Sequence, residues 1–143
     1  MGKETKITAT WLEGMTFLGE DENGGQAQLG SLEGKPGIAP MSMTLASLAA
    51  CTGVDVVHIL RKKRAKLHDL KVEVRAKQAD KHPKVYTDIH ITYLLWGEDL
   101  NPKDIEKAIE LSETKYCSVS IMLKCTAQIH SDYRVFAPGE SAE

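Results

Sequence analysis

The chain has 143 residues, of which 42% are hydrophobic, and a formal net charge of −2. That length suits one domain with a real core, here taken as 1–143, and nothing in the charge balance suggests nucleic acid as a general partner, so none is expected. No signal-peptide pattern opens the chain and no apolar run suggests a membrane span, so no membrane partner is expected. Three cysteines, far apart in sequence, argue against a secreted disulfide framework and for a reducing cytoplasm.

Residues 5–12 and 15–19 read as a hairpin around Gly14, with Ile7, Ala9 and Trp11 alternating. Residues 20–40 are rich in Gly, Asp, Glu and Asn and read as loop around a short strand at Gln26–Leu29. A long helix is expected from Ser42, as N-cap, to Lys66. Around its axis, Leu45, Leu48, Ala49, Val54, Val56, Val57, Ile59 and Leu60 cover about two-thirds of the circumference. Ser47, Cys51, Asp55, His58 and Lys62 line up on the rest. One small sheet would struggle to surround such a helix, which predicts a homodimer.

Alternation predicts strands at Leu70–Ala79, Val85–Trp96 and Lys124–Phe136, joined in part by a turn at Lys81-His82-Pro83-Lys84. Strands with one apolar face imply an antiparallel sheet covered on one side. Asn101-Pro102 opens a second helix, with Asn as cap and Pro at the first helical position. Its apolar stripe is Ile105, Ala108, Ile109 and Leu111, reaching Tyr116. A short third helix is expected at Ser118–Leu123. The order of strands and helices is that of an α+β fold.

The cysteines carry the chemistry. Cys51 lies mid-way along the long helix, where the bland reading is a small core residue. A metal site at Cys51, Asp55 and His58 would draw all its ligands from one helix, which is poor geometry, and no metal or cofactor is expected. Arg61-Lys62-Lys63-Arg64 is a solvated helix end whose cations suit the helix dipole. Cys117 immediately precedes Ser118, the expected cap of the third helix, where exposed N–H groups favour a thiolate. Cys125 falls on the inward phase of the last expected strand and reads as core.

Leu48-Ala49-Ala50-Cys51-Thr52-Gly53-Val54-Asp55-Val56-Val57 resembles the first-cysteine helix of the OsmC/Ohr family, and Tyr116-Cys117-Ser118-Val119-Ser120 resembles its second-cysteine corner. The element order matches from about Ile7 to Val135. Thr after the first Cys and Ser-Val-Ser after the second resemble the less characterised OsmC-like branch. The resemblance implies an OsmC-like fold: an antiparallel sheet packed on a long central helix in an intertwined homodimer. It also implies thiol-dependent reduction of organic hydroperoxides. Cys51 would attack the peroxide and become a sulfenic acid, and Cys117 would resolve it as a disulfide. A dithiol, such as a lipoylated protein, would reduce the pair.

The sequence departs from the family at two points. Members usually carry a Glu shortly after the Pro of the first motif, whereas this stretch is Pro40-Met41-Ser42-Met43-Thr44. The hydroperoxidase branch uses an Arg from the N-terminal half, whereas the first arginine here is Arg61. Lys35 is the cation left to stabilise the thiolate, without the guanidinium fork. These departures predict weak peroxidase activity. The alternatives are a non-enzymatic dimer holding a small apolar ligand in a pocket lined by Met41, Met43, Leu45 and Tyr116, or a redox sensor.

Overall fold

The structure is a computed structural model that describes residues 2–143. It divides into two compact units, one running to Leu45 and the other from Ala46 to Glu143.

The N-terminal unit holds an antiparallel sheet of β1 (Ile7–Glu13), β2 (Thr16–Asp21) and β3 (Gln26–Leu29). The β1–β2 hairpin turns at Gly14, whose φ of +55° suits glycine. Beyond β3, Leu32 and Lys35 close a small turn through two backbone hydrogen bonds of 3.0 Å.

Helix α1 runs Pro40–Lys62, beginning two residues and ending four residues earlier than expected. Pro40 occupies the first helical position, where its missing N–H costs nothing, so Ser42 lies inside the helix and is no cap. The chain leaves the helix through Arg64, at φ 58°, and enters β4 at Lys66.

The second unit carries β4 (Lys66–Gln78), β5 (Tyr86–Glu98) and β6 (Gln128–Phe136), in that spatial order. Strands β4 and β5 are antiparallel, but β5 and β6 are parallel, so the expectation of a wholly antiparallel sheet is corrected. The helices between Glu98 and Gln128 supply the long crossover that a parallel pair requires. Ile89, Ile91, Tyr93 and Leu95 of β5 are fully buried on one face. On the other face Trp96 stacks on Phe136, ring centroids 5.1 Å apart, and donates its indole N–H to the Glu140 carbonyl.

Helix α2 (Pro102–Leu111) begins as the sequence predicts, with Asn101 accepting from the Lys103 N–H at 2.9 Å. It buries Ile105, Ala108 and Ile109. A π-helical turn (Ser112–Tyr116) follows, then α3 (Ser118–Leu123).

Within this unit α1 buries Leu48, Thr52, Val56 and Leu60, a stripe of spacing four. The opposite face is open, and Val54 is 67% exposed. The chain by itself therefore leaves part of the apolar circumference of α1 uncovered, as expected of one small sheet. The 23-residue helix is also long and apolar enough to cross a bilayer by length and composition, contrary to the sequence reading. Its buried stripe, however, is already packed in the core.

Candidate functional site

Helical spacing puts Cys51 and Asp55 one turn apart on the same face of α1. Between them Thr52 is fully buried, its hydroxyl donating back to the Leu48 carbonyl at 3.0 Å. The facing wall is the corner between α2 and α3. There the Cys117 N–H reaches the Ser112 carbonyl at 2.7 Å, closing the π turn. Such turns widen a helix by one residue and recur at functional sites. Cys117 then leaves helical geometry, at φ −80° and ψ 101°, and itself caps α3. Its sulfur accepts from the Ser120 N–H at 3.3 Å, so Cys117 takes the capping role expected of Ser118.

The two elements bring together three donor atoms from distant sequence positions. The Sγ atoms of Cys51 and Cys117 and a carboxylate oxygen of Asp55 lie within 4.8 Å of one another. Ser112 holds the Asp55 carboxylate through a 2.8 Å hydrogen bond from its hydroxyl to Oδ2. Cys117 is fully buried, whereas Cys51 is half-buried and reachable. Both thiols are free.

Burial pushes the Cys117 thiol up to about 11, and its hydrogen bond with Cys51 pushes the same way, against the opposing pull of the Ser120 N–H. Cys117 is therefore a protonated thiol at neutral pH, and it can donate that proton in a hydrogen bond to the Cys51 sulfur.

A second buried group adjoins this corner. Glu113 is almost wholly buried, and its carboxylate accepts from the Tyr93 hydroxyl at 2.9 Å. The Glu113 carbonyl accepts from the Lys124 ammonium at 2.6 Å and the Ser120 hydroxyl at 3.4 Å. Burial, followed by the Glu113 carboxylate, raises the Tyr93 phenol far above its ordinary range. The sequence reading passed over Glu113. Its signal was the spacing of four along Ile105, Ile109 and Glu113, which carries the buried stripe of α2 onto a carboxylate.

Among the sequence-predicted residues, Cys51 and Cys117 come together as expected. Asp55, placed by the sequence on the polar stripe of α1, bonds a neighbouring element through Ser112. Tyr116 is 51% exposed, with the Lys115 ammonium 5.3 Å above its ring. Lys35 belongs to the small turn of the N-terminal unit, and Met41 and Met43 to the first turn of α1, where Met41 is 43% exposed. Cys125 is a correction: it sits exposed in the turn after α3, three residues before β6 begins, and is not a core residue. The strand alternation does not extend back to it, because α3 ends in a turn through residues 124–126.

An open groove of about 1010 Å³ lies between α1 and β4. Ala50, Gly53, Val54, Val57, Leu70 and Val72 line it, and the two thiols do not. Its floor is the close approach of α1 to β4 at Gly53, where an added Cβ would lie 3.4 Å from Val72 Cγ2.

Comparison with known proteins agrees with this architecture. The family model described as OsmC-like protein matches residues 32–132. Protein YhfA of Escherichia coli K12 is 35% identical over 127 residues, covering 89% of this chain and 95% of its own. A crystal structure of a hypothetical protein from Aquifex aeolicus superposes with a TM-score of 0.86 at 34% identity, covering 95% of this chain and 98% of that one. The organic hydroperoxide resistance protein OhrB of Bacillus subtilis superposes with a TM-score of 0.62 at 15% identity, over 92% of this chain and 98% of its own, a likeness of fold. With a family model spanning most of its length and a dithiol corner built by both of its motifs, the chain belongs to the OsmC-like protein family.

Proposed function

We propose that this protein reduces hydroperoxides through the Cys51–Cys117 pair. The observation that carries the reading is the approach of the two sulfurs within 4.8 Å across two elements, one thiol reachable and the other buried and protonated. Family membership, and a fold shared with an organic hydroperoxide resistance protein, support the same chemistry.

In the proposed cycle the Cys51 thiolate attacks the outer oxygen of the hydroperoxide. The O–O bond breaks, the alcohol leaves with a proton, and Cys51 becomes a sulfenic acid. Cys117, deprotonated as it attacks, displaces the sulfenic oxygen as water and forms the disulfide. A dithiol reductant, such as a lipoylated protein, returns both thiols and is itself oxidised to a disulfide. A reducing cytoplasm, where free thiols persist, suits this cycle.

The proposal includes a homodimer. The open groove between α1 and β4 exposes Val54 and a run of small apolar residues, and a second copy of the same helix face would cover it.

The test is intact-mass analysis after one equivalent of an organic hydroperoxide. The expected product has lost two hydrogens and maps to a Cys51–Cys117 bond. In Cys117→Ser the sulfenic acid at Cys51 accumulates instead. An unchanged mass, or a bond that uses Cys125, would overturn the proposal.

A further inference from the structure

We propose that Cys51, Asp55 and Cys117 form a binding site for a soft divalent cation of the zinc class, whose occupancy closes the dithiol to oxidation. The three donor atoms already lie within 4.8 Å of one another. Metal–sulfur bonds of about 2.3 Å and a metal–oxygen bond of about 2.1 Å in a tetrahedral site bring donors to roughly 3.5–3.8 Å. Cys51 and Asp55, the two donors that would move to close that difference, are only half-buried.

The donor chemistry selects the ion. Two thiolates favour zinc or cadmium over magnesium or calcium, which prefer oxygen. The ligands come from two elements, α1 and the α2–α3 corner, as metal sites usually require. That removes the objection to a site built on α1 alone, because Cys117 takes the place considered for His58.

Supporting contacts are present too. The Ser112 hydroxyl occupies Oδ2 of Asp55 at 2.8 Å and orients the carboxylate. The Ser120 N–H points at the Cys117 sulfur at 3.3 Å, a contact that favours thiolate. Such outer contacts tune metal sites. Coordination forms two metal–sulfur bonds and one metal–oxygen bond and releases both thiol protons to solvent. Water takes the fourth position.

This inference needs only reduced thiols and no turnover, so it stands or falls separately from the peroxidase reading. The experiment titrates the full-length, anaerobically reduced protein with Co²⁺ and then with Zn²⁺, without peroxide. A thiolate-to-cobalt charge-transfer band in the near ultraviolet is expected to saturate at one ion per chain and to vanish as Zn²⁺ displaces cobalt. Cys51→Ser and Cys117→Ser should remove the band, Asp55→Asn should weaken zinc binding at least about tenfold, and Cys125→Ser should change nothing. No charge-transfer band, a band that survives in Cys117→Ser, or one lost in Cys125→Ser would overturn the site. Far-ultraviolet circular dichroism checks that each variant folds. A measurement on the wild type alone guards against misfolded variants: Zn²⁺ should protect Cys51 and Cys117 from alkylation while Cys125 reacts as before. Equal alkylation of Cys51 with and without Zn²⁺ would refute the proposal.

Discussion

Replacing Val54 by Asp separates the chain by itself from the proposed dimer. In the chain alone Val54 is 67% exposed, so a carboxylate there stays in water. Its cost to folding is then helix propensity and a surface change, roughly 0.5 kcal/mol. In a dimer that covers the α1–β4 groove, the same carboxylate is taken out of water, and where neither His58 nor Arg61 of the groove wall pairs with it the cost is about 3–5 kcal/mol. A twofold interface carries the substitution twice, for a total of about 6–10 kcal/mol. At 1.4 kcal/mol per decade, that weakens association by at least about four decades. Sedimentation velocity at micromolar concentration should give wild type at twice the 15.8 kDa chain mass and Val54→Asp at the single-chain mass. The variant should keep the helical signal of the wild type. A Val54→Asp variant that still sediments as a dimer, or a wild type that is a monomer, would refute the reasoning.

Tyr93→Phe removes the donor to the buried Glu113 carboxylate and should cost about 2–3 kcal/mol in urea unfolding. Glu113→Gln, which keeps an acceptor for Tyr93, should cost less, and the reverse ranking would contradict the network. Asn101→Ala deletes the cap of α2 and should cost about 1 kcal/mol by the same assay. Cys117, fully buried, titrates near 11 in the fold against 9.0 when free, so the folded state holds its proton more tightly. The resulting stability is complete below pH 9 and is lost as pH rises through 11, by roughly 2–3 kcal/mol. Subtracting the same profile for Cys117→Ser isolates this term, and identical wild-type and variant slopes between pH 9 and 11 would argue against it.

Much of the fold was legible in local pattern. Alternation at Leu70, Val72, Val74 and Ala76 placed β4, and that at Ile89, Ile91, Tyr93 and Leu95 gave the buried face of β5. Asn101-Pro102 marked the start of α2, because a cap and a preset φ act within a few residues. The two cysteine motifs pointed to the pair that folding brings together. Strand direction was not legible, since a period of two reads the same in parallel and antiparallel pairs, and β6 proved parallel to β5. Extending alternation from β6 back to Cys125 failed because a turn resets the phase. Asp55 meets Ser112 across 57 residues, and Cys51 meets Cys117 across a helix corner shaped by a π turn. Elements follow from neighbours along the chain, which the sequence displays. Distances of a few ångströms between groups far apart in it follow only from how those elements pack.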